Sequence, residues 1–322
     1  MRRVQQVLTV LLFTLAALAR AQSYPVKPVH IVVPYAAGGT YDLYARAIGQ
    51  KLSEMWGQPV IIEDRSGANG IAGTDFVAKS APDGYTIMMG GIGPHGINPS
   101  LYSSLPYDPI RDFAPVIYVA YAPNVLIVNP SIKVQSVKDL ILYARSRPGQ
   151  LTFSSAGSGS SQHLSAELFN TMTGIRITHI PYRGGAPGAT AVLAGEVSLM
   201  FASASDALKY VGTDRVRMLA VTSARRIPAF PEVPTMIEAG VPGFMAAAWF
   251  GVLAPAATQP EIVNKLNRDI GNVLKIPEVA ERISLHGSAE IVGGTPGQFG
   301  AFIQSEIAKW AAVVKTSGAK AD

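Results

Sequence analysis

The chain has 322 residues, which is long enough for two ordinary domains with a substantial core. Only 15% of the residues are charged and 48% are hydrophobic, a composition that argues against disorder and against nucleic-acid binding through charge density. The formal net charge is +5, with 31 glycines and no cysteine.

The first 21 residues predict a cleavable export signal. Arg2 and Arg3 precede an apolar run at residues 7–19 that is too short to span a bilayer, and small residues surround Arg20 at the cleavage position. Cleavage after Ala21 removes these three arginines and leaves a net charge of about +2. Because no cysteine is present to carry a lipid or a disulfide, we expect a free exported protein without a lipid anchor.

The residues after the signal alternate short β-branched runs with amphipathic segments, which is typical of an α/β fold. Residues 30–33 predict a buried strand, and a glycine-rich segment at residues 34–40 follows, here called loop 1. Apolar residues at helical spacing then predict a helix over 41–55 that Gly57 ends, and residues 60–63 predict the next strand.

A similar unit occurs about 120 residues later. Residues 151–154 predict a strand, a serine- and glycine-rich segment at 155–161 follows, here called loop 2, and a helix ends at Gly174 before a strand at 176–180. The repetition of strand, glycine-rich turn, helix and strand predicts two lobes of similar plan.

The lobe boundaries follow from two apolar extended segments, at 124–128 and 250–254, which we predict to cross between the lobes. Lobe 1 then comprises residues 22–123 and 250–322, and lobe 2 comprises residues 124–249. Two amphipathic helices, at 260–274 and 296–314, are predicted to pack on the core of lobe 1.

Loop 1 leaves a strand and opens a helix, so its N–H groups and the helix N-terminus indicate an anion site. Gly38 and Gly39 allow the main chain to approach a ligand, whereas Thr40 and Asp42 would also suit simple helix capping. No lysine follows these glycines, which excludes a nucleotide-hydrolysing P-loop and favours a carboxylate.

Loop 2 offers the same arrangement with more hydroxyl groups, and a third segment, residues 181–187, again follows a strand. Loop 2 alone could be a flexible turn, but two such loops at equivalent places favour binding. In the third segment, Arg183 would either pair with a carboxylate or lie solvated in the loop.

Three other patterns in the sequence would indicate a different chemistry. Residues 91–96 match a dinucleotide fingerprint, but Pro94 lacks an N–H and Pro99 argues against a following helix. The five histidines lack metal-ligand spacing, so we expect no metal or other cofactor. Ser160 and His163 could act as nucleophile and base of an exported serine hydrolase, yet no elbow motif or orienting acid accompanies them.

A set of motifs extends along nearly the whole mature chain. They are IVVPYAAGG at 31–39 with Asp42, APDGY at 81–85, NPSLY at 98–102, LPYD at 105–108, SAGSGS at 155–160 with His163, PYRG at 181–184, LAVT at 219–222, VPT at 233–235 and WFG at 249–251. In this order they resemble the Bug (TctC-like) family of solute-binding proteins.

This resemblance implies a two-lobed periplasmic binding protein, type II-like, that closes on a small carboxylate and delivers it to the membrane permease of a tripartite tricarboxylate transporter. It implies neither an enzyme nor a nucleic-acid partner, and we expect a monomer. The ligand-binding residues that it implies are Tyr35, Ala37, Gly38, Gly39, Thr40, Tyr41, Asp42, Ser155, Gly157, Ser158, Gly159, Ser160, Ser161, Arg183, Gly184 and Ser203.

Two departures from the family pattern concern the ligand. Tyr41 stands where many relatives have threonine, which would suit an aromatic or longer acid if the ring is not part of the core. Ala202 and Ser203 stand where relatives often have an Asp-Asn pair, which argues against a ligand with an ammonium group.

Overall fold

The computed structural model describes residues 24–182 and 184–320, and of residues 285–287 only the backbone. The predicted export signal and Arg183 lie outside the described residues. Among those that are described, no helix is both long and apolar enough to cross a membrane.

The strands, numbered in chain order, fall into two groups joined by one long strand. They are β1 (Val29–Val33), β2 (Val60–Asp64), β3 (Thr86–Gly91), β4 (Phe113–Val128), β5 (Thr152–Ser155), β6 (Thr178–Pro181), β7 (Leu199–Ser203), β8 (Arg217–Val221), β9 (Ala247–Pro255) and β10 (Glu290–Gly293).

The α-helices alternate with these strands. They are α1 (Thr40–Trp56), α2 (Ile71–Ala78), α3 (Asn98–Leu101), α4 (Val137–Ser146), α5 (Ser161–Thr173), α6 (Gly185–Ala194), α7 (Ala204–Ala207), α8 (Pro260–Leu274), α9 (Pro277–Gly287) and α10 (Pro296–Ser317). A 3₁₀ turn at Ala68–Gly70 precedes α2, another at Leu208–Tyr210 follows α7, and a π-helical turn at Gly93–Ile97 precedes α3.

The strand order is β2-β1-β3-β9-β4-β7-β5-β6, with β8 and β10 also paired to β4. The first part of β4, through Pro123, pairs with β9, whereas the part from Asn124 onward pairs with β7 and β8. Around β1 and around β5 the pairing is parallel, so loop 1 and loop 2 each follow the carboxyl end of a parallel strand. Ligands of α/β sheets bind at this end.

The helix ends predicted for both units are confirmed. Gly57 and Gly174 are left-handed C-caps of α1 and α5, with φ of 62° and 65°, a conformation that glycine adopts without a Cβ penalty. The helix predicted at 260–274 has these bounds, and the helix predicted at 296–314 continues to Ser317.

One element was predicted wrongly. Asn98 and Pro99 were expected to prevent a helix after residues 91–96, but α3 begins at Asn98 and Pro99 lies in its first turn. A proline there is tolerated because the first N–H groups of a helix lack intrahelical partners.

Glu306 on α10 organises the core beside the crossing strands. Its Oε2 accepts hydrogen bonds from Trp249 Nε1 on β9 at 3.1 Å and from Trp310 Nε1 at 2.9 Å, and Lys309 Nζ pairs with its other oxygen. The carboxylate is buried together with both indole rings. It therefore ties α10 to the strand that returns to the first half of the sheet.

Candidate functional site

Loop 1 presents its main chain at the start of α1. Residues 36–39 are exposed, and Gly38 has a φ of 82° with no atom of the described residues within 4 Å of the position that a Cβ would take. Gly39 is the N-cap of α1 and provides no side chain to cap the helix. The first N–H groups of α1 therefore have no side-chain cap from this residue, as an anion site requires.

The side chain of Asp42 is buried and stabilises the conformation of loop 1. It is 3% exposed, its Oδ2 accepts the Gly38 N–H at 2.8 Å, and its Oδ1 pairs with Arg46 Nε at 2.6 Å. Burial opposes ionisation of this carboxyl, but the Arg46 guanidinium and the Gly38 N–H outweigh it and lower its pKa. Asp42 thus acts on the loop conformation, and it uses one loop N–H itself.

Tyr41 belongs to an aromatic cluster behind loop 1. Its ring centroid lies 4.7 Å from both Tyr35 and Phe250, and a Cβ on Gly91 would lie 2.4 Å from its hydroxyl oxygen. Burial raises the pKa of Tyr41 although the Gly93 N–H and Tyr35 act in the opposite direction. Of the two roles left open by the sequence, these contacts favour the packing role.

Asn69 is a residue of the site region that sequence reasoning missed. It lies in the 3₁₀ turn before α2 with φ 51° and ψ 42°, and its Nδ2 donates to Asn98 Oδ1 at 2.9 Å. Tyr35 Oη lies 3.4 Å from both its Oδ1 and its carbonyl oxygen. The signal available in the sequence was the Asn-Gly pair at 69–70, because asparagine tolerates this left-handed conformation.

His179 contacts the first residue of loop 2. Ser155, buried at the end of β5, places its Oγ 2.6 Å from His179 Nε2 and accepts the Gly157 N–H at 3.1 Å. The imidazole of His179 stacks on that of His163 with a centroid distance of 3.9 Å and an interplanar angle of 11°. These contacts fix the backbone path of loop 2.

Ser160 and His163 are not arranged as nucleophile and base. Ser160 is the N-cap of α5, and its Oγ accepts the backbone N–H of His163 at 3.3 Å. The ring atom Nδ1 of His163 instead accepts the Gly159 N–H at 3.1 Å. Both side chains therefore support the loop, and this geometry argues against the hydrolase interpretation.

Loop 2 touches the opposite half of the molecule at Gly159. A Cβ on Gly159 would lie 2.6 Å from Leu101 Cδ2 and 3.1 Å from Asn69 Nδ2. Because Asn69 also contacts Tyr35, one small cluster connects loop 1 with loop 2. Loop 1 and loop 2 are therefore connected through Tyr35 and Asn69.

The remaining predicted residues lie at helix starts of the β5–β7 half, in loop 2 and in loop 1. Gly184 is the N-cap of α6, and Ser203 is the N-cap of α7 and accepts the Asp206 N–H. Ser158 and Ser161 lie in loop 2. Ala37 lies in the exposed part of loop 1, and Thr40 is the first residue of α1. Among the described residues, no group of three or more histidines, aspartates or glutamates could hold a metal ion.

The family model described as "Tripartite tricarboxylate transporter family receptor" matches residues 44–319. The chain belongs to this family. Among curated relatives, this family member is 39% identical to protein BugT of Bordetella pertussis over 307 residues, covering 95% of this chain and 94% of BugT. It is 38% identical to a UPF0065 protein of Pseudomonas sp. strain P51 over 292 residues, covering 90% and 86% of the two chains.

Solved structures support the same assignment. The tripartite tricarboxylate receptor chain is 42% identical to R. palustris Rpa4515 with adipate, with a TM-score of 0.81 over 93% of this chain and all of the other. MatC from Rhodopseudomonas palustris with bound malate is 33% identical, with a TM-score of 0.77 over 90% of this chain and all of MatC. The periplasmic binding protein BugD is 32% identical, with a TM-score of 0.77 over 93% and 100%.

These matches confirm the predicted family and the α/β periplasmic-binding-protein fold. They also confirm that the chain is a member of a receptor family and not an enzyme. The individual binding residues and the lobe boundaries at 123/124 and 249/250 stay predictions.

Proposed function

We propose that this tripartite tricarboxylate receptor captures a small carboxylate between loop 1 and loop 2 in the periplasm. The observation that carries this proposal is the meeting of the two loops through Tyr35, Asn69 and Gly159. A carboxylate held there would face the start of α1 from one lobe and the start of α5 from the other. Two structural relatives contain adipate and malate, which are carboxylates of this size.

The physical basis of recognition is neutral hydrogen bonding in a cleft that excludes water. Helix N-termini carry partial positive charge, and their N–H groups bind anions more strongly where bulk water is displaced. The buried Asp42 is paired with Arg46, so it would not place an unpaired negative charge beside the ligand. The net charge after signal cleavage is only about +2, so recognition of the anion would not depend on a basic surface.

The lobes would move about the two crossing strands. Strand β4 pairs with β9 up to Pro123 and with β7 from Asn124 onward. Ala247 of β9 is the pairing partner of Pro123, so β9 begins where β4 changes its neighbour. Both chain crossings therefore lie side by side, as a hinge requires. Ligand contacts that exist only in the closed state would favour closure.

We further infer that the closed, monomeric receptor delivers its ligand to the permease of a tripartite tricarboxylate transporter. The family description supports this step. Reconstitution of the mature chain with such a permease in proteoliposomes would test it. Uptake of the ligand is expected only when the receptor is present on the outer side.

The test of the binding function is calorimetry of the mature chain against aliphatic and aromatic mono- and dicarboxylates, after release of any retained ligand by partial unfolding. We expect at least one acid to bind with a Kd of about 1 μM or less, corresponding to about 8 kcal/mol. Chromatographic analysis of the acid before and after incubation should show no turnover. Absence of saturable heat for every acid would contradict the proposal.

A further inference from the structure

Asp206 is a carboxylate that no motif assigned, and it contacts the predicted ligand-binding residue Ser203. It is the third residue of α7, and its side chain is 19% exposed. Its Oδ2 accepts the hydroxyl of the N-cap Ser203 at 2.8 Å, while the Ser203 Oγ accepts the Asp206 N–H at 3.2 Å. This reciprocal pair holds the carboxylate at the start of α7.

The same carboxylate reaches the start of α6. A Cβ on Gly185, the first residue of α6, would lie 2.7 Å from Asp206 Oδ2 and 3.6 Å from Gln162 Nε2. Gln162 is the second residue of α5 and follows loop 2 directly. Asp206 therefore lies between the starts of α6 and α7, and its approach to α6 is possible because residue 185 has no side chain.

Helix N-termini attract an anion, and here the chain provides one of its own. The charge of Asp206 is only partly compensated, because Lys209 Nζ lies 2.9 Å from its Oδ1 but the lysine side chain is 60% exposed and its attraction is screened by water. Among the described residues, a ligand carboxylate next to Ser203 would meet the negative charge of Asp206. A hydroxyl or ammonium group would meet a hydrogen-bond acceptor.

We propose that Asp206 determines ligand specificity by making the lobe 2 end of the cleft accept an O–H or N–H donor in preference to a second carboxylate. This inference rests on the proposed function, since it concerns the far end of the same ligand. It also reverses the expectation drawn from Ala202 and Ser203, because Asp206 provides an acid three residues after Ser203.

The test uses acids of equal length that differ at one end. Calorimetry would compare 6-aminohexanoate, 6-hydroxyhexanoate and adipate, and the corresponding four-carbon acids, on the wild-type chain and on Asp206→Asn. We expect the amino or hydroxy acid to bind about tenfold or more tightly than the diacid of the same length on the wild type. Asp206→Asn should shift this ratio toward the diacid by about tenfold.

Lys209→Gln serves as the second variant. It removes the compensating cation and leaves Asp206 in place, so the preference for the amino acid over the diacid should increase. Melting curves of both variants would verify that they fold. A diacid that binds tightest to the wild type, with a ratio that neither variant changes, would overturn the role of Asp206 and leave the receptor function standing. Absence of heat with all acids of both lengths would contradict the proposed function itself.

Discussion

Replacing Gly159 with alanine is expected to weaken ligand binding by about tenfold or more, which corresponds to about 1.4 kcal/mol. Gly159 has a φ of 80°, and an added Cβ would lie 2.6 Å from Leu101 Cδ2 and 3.1 Å from Asn69 Nδ2. Loop 2 would have to retreat from lobe 1, and the closed state that holds the ligand would lose stability. Calorimetry with the acid identified for the wild type measures the effect.

Gly149 offers a matched control for this substitution. It has a similar φ of 73° in the same predicted lobe, but within the described part of the chain no atom lies within 4 Å of the position that its Cβ would take. Gly149→Ala and Gly159→Ala should each lose about 1 kcal/mol of stability from left-handed strain. Only Gly159→Ala should lose affinity. Equal affinities of the two variants would show that the contact between loop 2 and lobe 1 has no part in binding.

Glu306→Ala is expected to lower the free energy of unfolding by about 3–5 kcal/mol. The substitution leaves the indole N–H groups of Trp249 and Trp310 buried without their acceptor, and each unsatisfied donor costs about 1–3 kcal/mol. Urea denaturation monitored by tryptophan fluorescence and by circular dichroism would measure the loss.

Two other variants on α10 distinguish the effect of losing the hydrogen bonds from the effect of substituting any residue of this helix. Glu306→Gln retains an acceptor oxygen and should cost less than Glu306→Ala, whereas Gln304→Ala on the exposed side of α10 should stay within about 0.5 kcal/mol of the wild type. If Glu306→Ala were as mild as Gln304→Ala, the bridge between α10 and β9 would not contribute to stability.

The local features of this fold were predictable from sequence because glycine and strand patterns act over a few residues. Loop 1 and loop 2 were placed correctly at the ends of β1 and β5, and the C-caps at Gly57 and Gly174 were confirmed. The error at Asn98 has the same origin, since proline opposes a helix interior but not its first turn.

The partners of the candidate site residues were not predictable in this way. Asn69 meets Gly159 across 90 positions of the chain, and His179 meets Ser155 across a parallel strand pair. Asp206 approaches Gly185 only because α6 and α7 begin at the same end of the sheet. Such contacts depend on the strand order, which short-range periodicity does not specify.

If two lobes close on a carboxylate between loop 1 and loop 2, the distance between the lobes must shorten when the acid binds. The chain has no cysteine, so spin labels at Leu43→Cys on α1 and Thr190→Cys on α6, both exposed positions, would be the only labels present. Double electron–electron resonance should give a shorter and narrower distance distribution with the bound acid than without it. An identical distribution in both states, at saturating acid, would contradict closure of the lobes on the ligand.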